Sequence, residues 1–280
     1  MLADGSVVLV EIEAGLLSRV FPDGTKAVVA DLGGGPNGAA RGPDGAIYVA
    51  NNGGHPHKTM TPSIQRVDLG TGKSEVLYIE CDGVPLRGPN DLVFDATGNF
   101  WFTDMAGNAI YYAAPDGSSI QLAVSGVAAP NGIGLSPDET ILYWAQTYTR
   151  QVLRRRLRGP GQVVPSVGCG VEAVFAGGPD LDSLVAGLPG AQELDSLAVD
   201  SSGAVCVGTL VQGGGITVFS ADGGSIEKYV PPPRLADNLI TNICFGGPDM
   251  RDAYLTMSET GRLVACRWPR PGLVLNFQDR

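Results

Sequence analysis

The sequence predicts an all-β protein, a six-bladed β-propeller of four-stranded antiparallel blades, on three observations. A polar residue, a short apolar strand, a tight turn and a second strand recur along the chain, most clearly at residues 88–104. Glycine and proline are abundant, at 40 and 20 residues, and only 17% of the residues are charged, which is typical of many short strands joined by tight turns. A unit that repeats about every 40–50 residues indicates propeller blades of four strands each.

Six copies of this unit, the first without its opening strand, account for the chain in order. The strands that we predict lie at 7–12, 16–21 and 26–31 in unit one; 38–41, 46–51, 63–68 and 74–79 in unit two; within 88–104 and at 109–114 and 120–125 in unit three; within 131–146 and at 151–158 in unit four; 197–200, 205–209, 215–220 and 225–230 in unit five; and within 242–256 and at 262–268 in unit six, before an apolar run at 273–277. The longer units contain insertions at 53–62, 159–170 and 177–193, which we expect to be loops. No linker interrupts the repeat, so we expect one domain over residues 1–280, with two β-sandwich domains as the alternative.

Composition excludes several classes of partner. The net charge of −10 argues against a nucleic-acid or anionic-membrane partner and is compatible with a cation site. The five cysteines lack paired spacing, and no signal peptide or membrane-length apolar run is present. We therefore expect reduced thiols, a cytoplasmic location and a small-molecule substrate, while the oligomeric state stays open.

One polar residue opens the first strand of five units. We call this set the mouth residues: Asn37, Asn90, Asn131, Asp195 and Asn242. The first strand of each blade lines the central channel of a propeller, so these side chains are expected to converge on its mouth. Asparagine and aspartate also cap turns through their own backbone, which is the alternative for any single copy. Five equivalent copies favour a site, and oxygen atoms on a rigid ring suit a hard cation such as Ca²⁺ or Mg²⁺ rather than a structural zinc ion.

Several stretches resemble the gluconolactonase / regucalcin (senescence marker protein) / luciferin-regenerating-enzyme family. They are residues 87–104, 130–144, 194–200, 241–249 and 268–277, so the likeness extends over essentially the whole chain. The resemblance implies a six-bladed propeller that holds a divalent metal at the channel mouth and hydrolyses lactones or related carboxylic esters. Ca²⁺ is the first expectation for the metal, with Zn²⁺, Mn²⁺ or Mg²⁺ as alternatives.

The resemblance also implies roles for individual residues. Asn131 matches a metal-ligand asparagine, Asp195 matches a ligand aspartate that serves as catalytic base, and Asn90 matches an asparagine that faces metal or substrate. Asn37 and Asn242 fall at positions that line the substrate or act through water. Asp104, at the end of the second strand of its unit, is expected to shape the substrate pocket.

The sequence departs from the family at the first metal ligand, a glutamate in a Glu-Gly-Pro motif ahead of the first blade. The chain begins at Met1, past that position, so the blade-one counterpart of Asn90 and Asn131 is missing. Three explanations stay open: the chain starts late, Glu11 or a water takes the position, or the metal is bound weakly because Asp195 would be the only anionic mouth residue. We accordingly keep two alternatives to the hydrolase, a non-enzymatic binding propeller and another propeller enzyme such as an isomerase, cyclase or phosphotriesterase.

Other charged or titratable residues are weaker candidates. His57, next to His55 on the insertion at 53–62, would touch the substrate if this insertion is a lid, or would be a solvated surface side chain. Arg87 would pair with an anionic group of the substrate. No Gly-x-Ser-x-Gly motif occurs, and two neighbouring histidines leave little material for a serine triad.

Overall fold

Six antiparallel sheets follow one another along the chain and form the blades of a β-propeller in a computed structural model that describes residues 1–54, 59–165 and 183–278. Blade 1 contains β1 (Val7–Glu11), β2 (Leu16–Val20) and β3 (Lys26–Asp31); blade 2 contains β4 (Pro36–Arg41), β5 (Ile47–Asn51), β6 (Ser63–Val67) and β7 (Ser74–Tyr78); a small hairpin of β8 (Glu80–Cys81) and β9 (Val84–Pro85) follows; and blade 3 contains β10 (Pro89–Phe94), β11 (Phe100–Asp104), β12 (Ala109–Ala113) and β13 (Ile120–Ser125). Blade 4 contains β14 (Pro130–Leu135), β15 (Ile141–Gln146), β16 (Gln151–Gly159), β17 (Gln162–Val163) and β18 (Leu184–Gly187); blade 5 contains β19 (Gln192–Val199), β20 (Val205–Val211), β21 (Gly215–Phe219) and β22 (Ile226–Tyr229); and blade 6, after a 3₁₀ turn at Pro233–Leu235, contains β23 (Ile240–Gly246), β24 (Asp252–Met257) and β25 (Arg262–Arg267).

The predicted all-β propeller of six blades is confirmed, with differences at its edges. Blades 1 and 6 have three strands each in the described residues, and the others have four or more. The expectation that residues 177–193 form a loop is wrong for its described part. Leu184–Gly187 pairs with Gln151–Leu153 of β16, and β19 already begins at Gln192. The physical reason is that the outer edge of the long strand β16 would otherwise leave backbone groups unpaired.

The hydrophobic core lies between neighbouring blades. Blade 3, for example, packs against blade 2 with one face and against blade 4 with the other. In β11, Phe100 and Phe102 pack towards blade 2, whereas Trp101 between them packs towards blade 4. Tyr48 of blade 2 closes on Phe100, with ring centroids 5.7 Å apart. This alternation follows from the two-residue period of a strand, and it explains why the aromatic run at residues 100–102 is buried without exception.

The C-terminal segment crosses the channel at the end opposite the mouth residues. Its backbone pairs at Gly272 with Asp200 of blade 5, and the Leu273 N–H donates to the Val199 carbonyl at 3.0 Å. Further along, Asn276 Nδ2 donates to the carbonyl of Phe94 in blade 3, at 3.2 Å. The segment therefore ties separate blades together and forms the floor of the channel.

Among the described residues, no helix approaches the length and apolar character that crossing a bilayer requires.

Candidate metal centre at the channel mouth

The five strands that line the channel all change register near their mouth residue. In β10, Pro89 pairs with Asp104 and Leu92 pairs with Phe102, so Asn90 and Asp91 between them have no regular cross-strand partner. Equivalent shifts occur at residues 36–38, 130–133, 194–197 and 240–242. Such bulges turn a side chain away from the face of the sheet that it would otherwise occupy. The repeated polar residues are therefore released from the blade faces by a repeated backbone irregularity.

Blades 3, 4 and 5 meet at these bulges. The Asp91 N–H donates to Thr103 Oγ1 at 3.1 Å, and Thr103 Oγ1 donates in turn to the Asn131 carbonyl at 2.7 Å. The Asn131 amide group and the Glu193 carboxylate are both close enough to Asp195 to affect its pKa. Asn131 and Asp195 thus lie side by side, next to Asp91.

Two amide oxygens at this site have no partner. Asn90 Nδ2 donates to Met105 Sδ at 3.7 Å, and Asn131 Nδ2 donates to Thr147 Oγ1 at 3.1 Å. The opposite atom of each amide, Oδ1, is buried and accepts no hydrogen bond. An unsatisfied buried acceptor typically costs about 1–3 kcal/mol, so each of these oxygens is a position at which a ligand would be stabilising.

Two carboxylates accompany the amide oxygens. Burial raises the pKa of Asp91 to about 7, and the negative charge of Asp195 adds to that rise, while the Leu92 N–H and the Ser196 hydroxyl oppose it. Burial likewise raises the pKa of Asp195 to about 7, although the Ser196 N–H, which donates to Asp195 Oδ1 at 3.0 Å, and Asn131 lower it. In the metal-free protein, both carboxyl groups therefore change their protonation state near pH 7.

A hard divalent cation fits this donor set. Unpartnered amide oxygens and carboxylates are the ligand types that Ca²⁺ takes, so these side chains fit such an ion in their chemistry. Among the described residues, no group of three or more Asp, Glu, His or Cys side chains surrounds a common point.

The other predicted residues are spread around this centre. Asn242 lines the central cavity, and its Oδ1 accepts from the Ile243 N–H at 2.7 Å. Asn37 lies in the bulge of β4 and is partly buried. Arg87 is exposed beside the mouth. His57 lies outside the described residues.

Two acidic side chains near strand ends, Asp104 and Glu11, form hydrogen bonds or ion pairs with residues close to them in the fold. Asp104 is fully buried, and its oxygens accept from the N–H groups of Arg87, Gly88 and Gly107 at 2.7–2.8 Å. Its expected effect on the pocket would therefore act through these loops. Glu11 accepts from the Ser18 hydroxyl and forms an ion pair with Lys26 at 2.9 Å within blade 1.

Asp91 is the residue that the sequence pattern left out. It follows Asn90 directly, where other units carry Gly38, Gly132, Ser196 or Ile243, so a carboxylate at this position in one blade only was the available signal. A separate cavity of about 280 Å³ lies between blades 3 and 4, near Asp138 and Arg158, and contains none of the mouth residues.

Comparison with known proteins places this geometry in context. Residues 1–259 match the model of the SMP-30/gluconolactonase/LRE-like family. A gluconolactonase of Zymomonas mobilis is 36% identical over 124 residues, which are 39% of this chain and 33% of that protein. The lactonase drp35 of Staphylococcus haemolyticus is 29% identical over 153 residues, 52% of this chain and 42% of that protein. The matches thus span less than half the length of these curated relatives.

Among solved structures, regucalcin from Agrobacterium tumefaciens, a calcium-binding protein, superposes with a TM-score of 0.72 at 18% identity, covering 98% of this chain and 91% of that one. This likeness supports the fold. The match of the family model over residues 1–259 shows that the chain belongs to the SMP-30/gluconolactonase/LRE-like family.

Proposed function

We propose that this propeller is a metal-dependent hydrolase of a lactone or small carboxylic ester, acting at the channel mouth as a single domain. The observation that carries the proposal is the pair of unpartnered oxygens, Asn90 Oδ1 and Asn131 Oδ1, together with the contact between the Asn131 amide and the carboxylate of Asp195. The names of the relatives, gluconolactonase and lactonase, supply the substrate class.

Asn90, Asn131 and Asp195 would hold the cation, for which Ca²⁺ is the first choice because the structurally similar regucalcin is a calcium-binding protein. A divalent cation at this point supplies a Lewis acid that stabilises negative charge on the ester carbonyl oxygen. Zn²⁺, Mn²⁺ and Mg²⁺ are alternatives for the assay.

Asp195 would act as the general base and take a proton from the attacking water. A positioned base typically contributes about 10²–10⁴-fold to the rate. The Ser196 N–H and the Asn131 amide orient the Asp195 carboxylate, and a bound cation would favour its ionised form, which is the form that accepts a proton. Asn37, Asn242 and Arg87 would line the substrate around this centre.

The cysteines support a cytoplasmic place of action. All four that the structure describes, Cys81, Cys206, Cys244 and Cys266, are free thiols. Burial raises the pKa of each of these thiols, which makes them poorly reactive.

The test is a pH-indicator assay on purified protein with sugar lactones and aliphatic lactones. We expect acid release that a chelator abolishes and that Ca²⁺, Zn²⁺, Mn²⁺ or Mg²⁺ restores. Turnover that persists after complete removal of divalent metal would contradict the metal-dependent reaction. Ligand binding without turnover of any lactone would instead favour the second candidate, a non-enzymatic propeller that uses the same mouth to bind its ligand.

A further inference from the structure

Below the mouth residues, the channel widens into an apolar cavity of about 190 Å³. Most of its wall consists of apolar side chains from the inner strands, among them Leu92, Ile133, Leu197 and Ile243. Polar side chains belong to the lining as well: Arg41, Asp91, Asn242, Asn276 and Gln278. Apolar cavities of this size take hydrocarbon readily, since one of about 150 Å³ accommodates a benzene ring. By that scale, the space below the mouth fits roughly six to eight carbon atoms.

The cavity extends from the channel mouth to the C-terminal segment. Asp91 and Asn242 belong to its lining at the mouth. Leu273 and Leu275 of the C-terminal segment line the opposite end, where Gln278 Nε2 donates to the Phe245 carbonyl at 2.8 Å. A ligand that occupies it would therefore have its polar end at the mouth and its apolar end on the floor.

Blade 1 forms the side of the cavity that lies farthest from the proposed cation ligands. The proposed cation ligands sit on blades 3, 4 and 5, and blade 1 stands opposite blade 4 in a ring of six. There, among the described residues, Met1, Leu2 and Val8 form the cavity wall where the other blades have an inner strand. At the mouth, the cavity reaches Asn242 on blade 6 and Asp91 on blade 3, next to the proposed cation ligand Asn90.

We propose that this cavity is a subsite for the linear alkyl side chain of an aliphatic lactone, with the ester group held at the mouth; the proposal rests on the proposed hydrolase. Each methylene group that moves from water into such a cavity gains transfer free energy. The aliphatic part of the wall offers no hydrogen-bond partner to the hydroxyl groups of a sugar lactone, which would lose their water contacts there. The cavity therefore selects lactones that carry an unbranched chain of about six carbons.

The test is a series of γ-lactones with linear side chains of one to eight carbons, alongside glucono-δ-lactone. We expect kcat/KM to rise about fourfold per methylene, the equivalent of about 0.8 kcal/mol, up to roughly six carbons and then to level off. Calorimetric titration with the matching γ-lactams, which resist hydrolysis, should show the same dependence of Kd on chain length.

The outcomes separate this subsite from the hydrolase. Measurable turnover with kcat/KM independent of chain length overturns the alkyl subsite and leaves the hydrolase. Absence of turnover together with chain-length-dependent lactam binding overturns the hydrolase and supports the subsite. If neither turnover nor lactam binding occurs, both proposals are overturned.

Variants that fill the cavity provide a second test. Ala39 in β4 and Ala198 in β19 line the cavity, and neither is fully buried, so Ala39→Leu and Ala198→Leu would place three extra carbons into the cavity space. We expect the kcat/KM ratio of the hexyl to the methyl γ-lactone to fall at least tenfold. Ala265→Leu, an exposed position on the outer strand of blade 6, is the matched control and should keep the wild-type ratio. Wild-type ratios in both cavity variants, with folding verified by circular dichroism, would overturn the subsite.

Discussion

Replacing Asp195 with asparagine should lower kcat/KM for every hydrolysed lactone by about 10³-fold, because an amide cannot accept the proton of the attacking water. The change preserves shape, and the new Oδ1 can still accept from the Ser196 N–H, so the bulge of β19 should stay intact. Initial rates with the best lactone, measured at saturating Ca²⁺, give the comparison. Asp116→Asn, in an exposed turn of blade 3, is a control that should retain full activity.

The same substitution should stabilise the metal-free protein at alkaline pH. The pKa of Asp195 is raised on folding, so wild type is relatively more stable at low pH and loses that advantage as the pH rises through about 7. Asparagine never ionises, and we expect Asp195→Asn to raise the free energy of unfolding by about 1–2 kcal/mol at pH 8 and by less at pH 5. This is below the roughly 4 kcal/mol that a shift of three pKa units represents, because Asp195 keeps some contact with water. Undiminished turnover of the variant would show that Asp195 is not the general base. A lower free energy of unfolding at pH 8 would show that the pKa of Asp195 is not raised by folding.

Replacing Gly132 with alanine should damage both stability and activity. A Cβ atom at this position would lie 2.4 Å from the Leu197 nitrogen and 2.7 Å from the Ser196 Cα. These are backbone atoms of the strand that carries Asp195, so β14 and β19 must separate. We expect a loss of about 2–4 kcal/mol in the free energy of unfolding and at least 100-fold in kcat/KM, since displacement of a catalytic group by about 1 Å has effects of that size.

Gly159→Ala is the matched control for this prediction. It is also in blade 4, but its Cβ would meet no atom within 4 Å. Denaturant unfolding and lactone turnover of the two variants should therefore differ sharply. If Gly132→Ala unfolds like wild type, the inner strands β14 and β19 do not pack as closely as these distances require.

The repeat was predictable because each blade requires the same sequence of a polar residue, an apolar strand, a tight turn and a second strand. Residues 120–125 were predicted as a strand and form β13 with the same bounds. The sequence predicts a strand at 197–200, but β19 begins at Gln192. The three residues Gln192, Glu193 and Leu194 pair with the C-terminal end of β20, at residues 209–211. That pairing is decided by contact between strands and leaves no trace in local composition.

The sequence provided the candidate residues of the site, but it could not predict how their side chains are buried and hydrogen-bonded. The recurrence of Asn90, Asn131 and Asp195 at equivalent positions identified them from sequence alone. Their bulges, the unpartnered Oδ1 atoms and the raised pKa of Asp91 depend on how neighbouring blades pack. The apolar cavity could not be foreseen either, because its walls come from distant parts of the chain and its floor from the C-terminal segment.

The central claim is that Asn90, Asn131 and Asp195 present their oxygens to a single cation. Calorimetric titration of metal-free protein with Ca²⁺ tests it most directly, comparing wild type with Asn131→Leu, which removes one orphan oxygen and keeps the side-chain size. We expect one equivalent of Ca²⁺ to bind wild type, and at least tenfold weaker binding to the variant. Equal affinity in the two proteins, or no binding to wild type, would contradict a shared cation site.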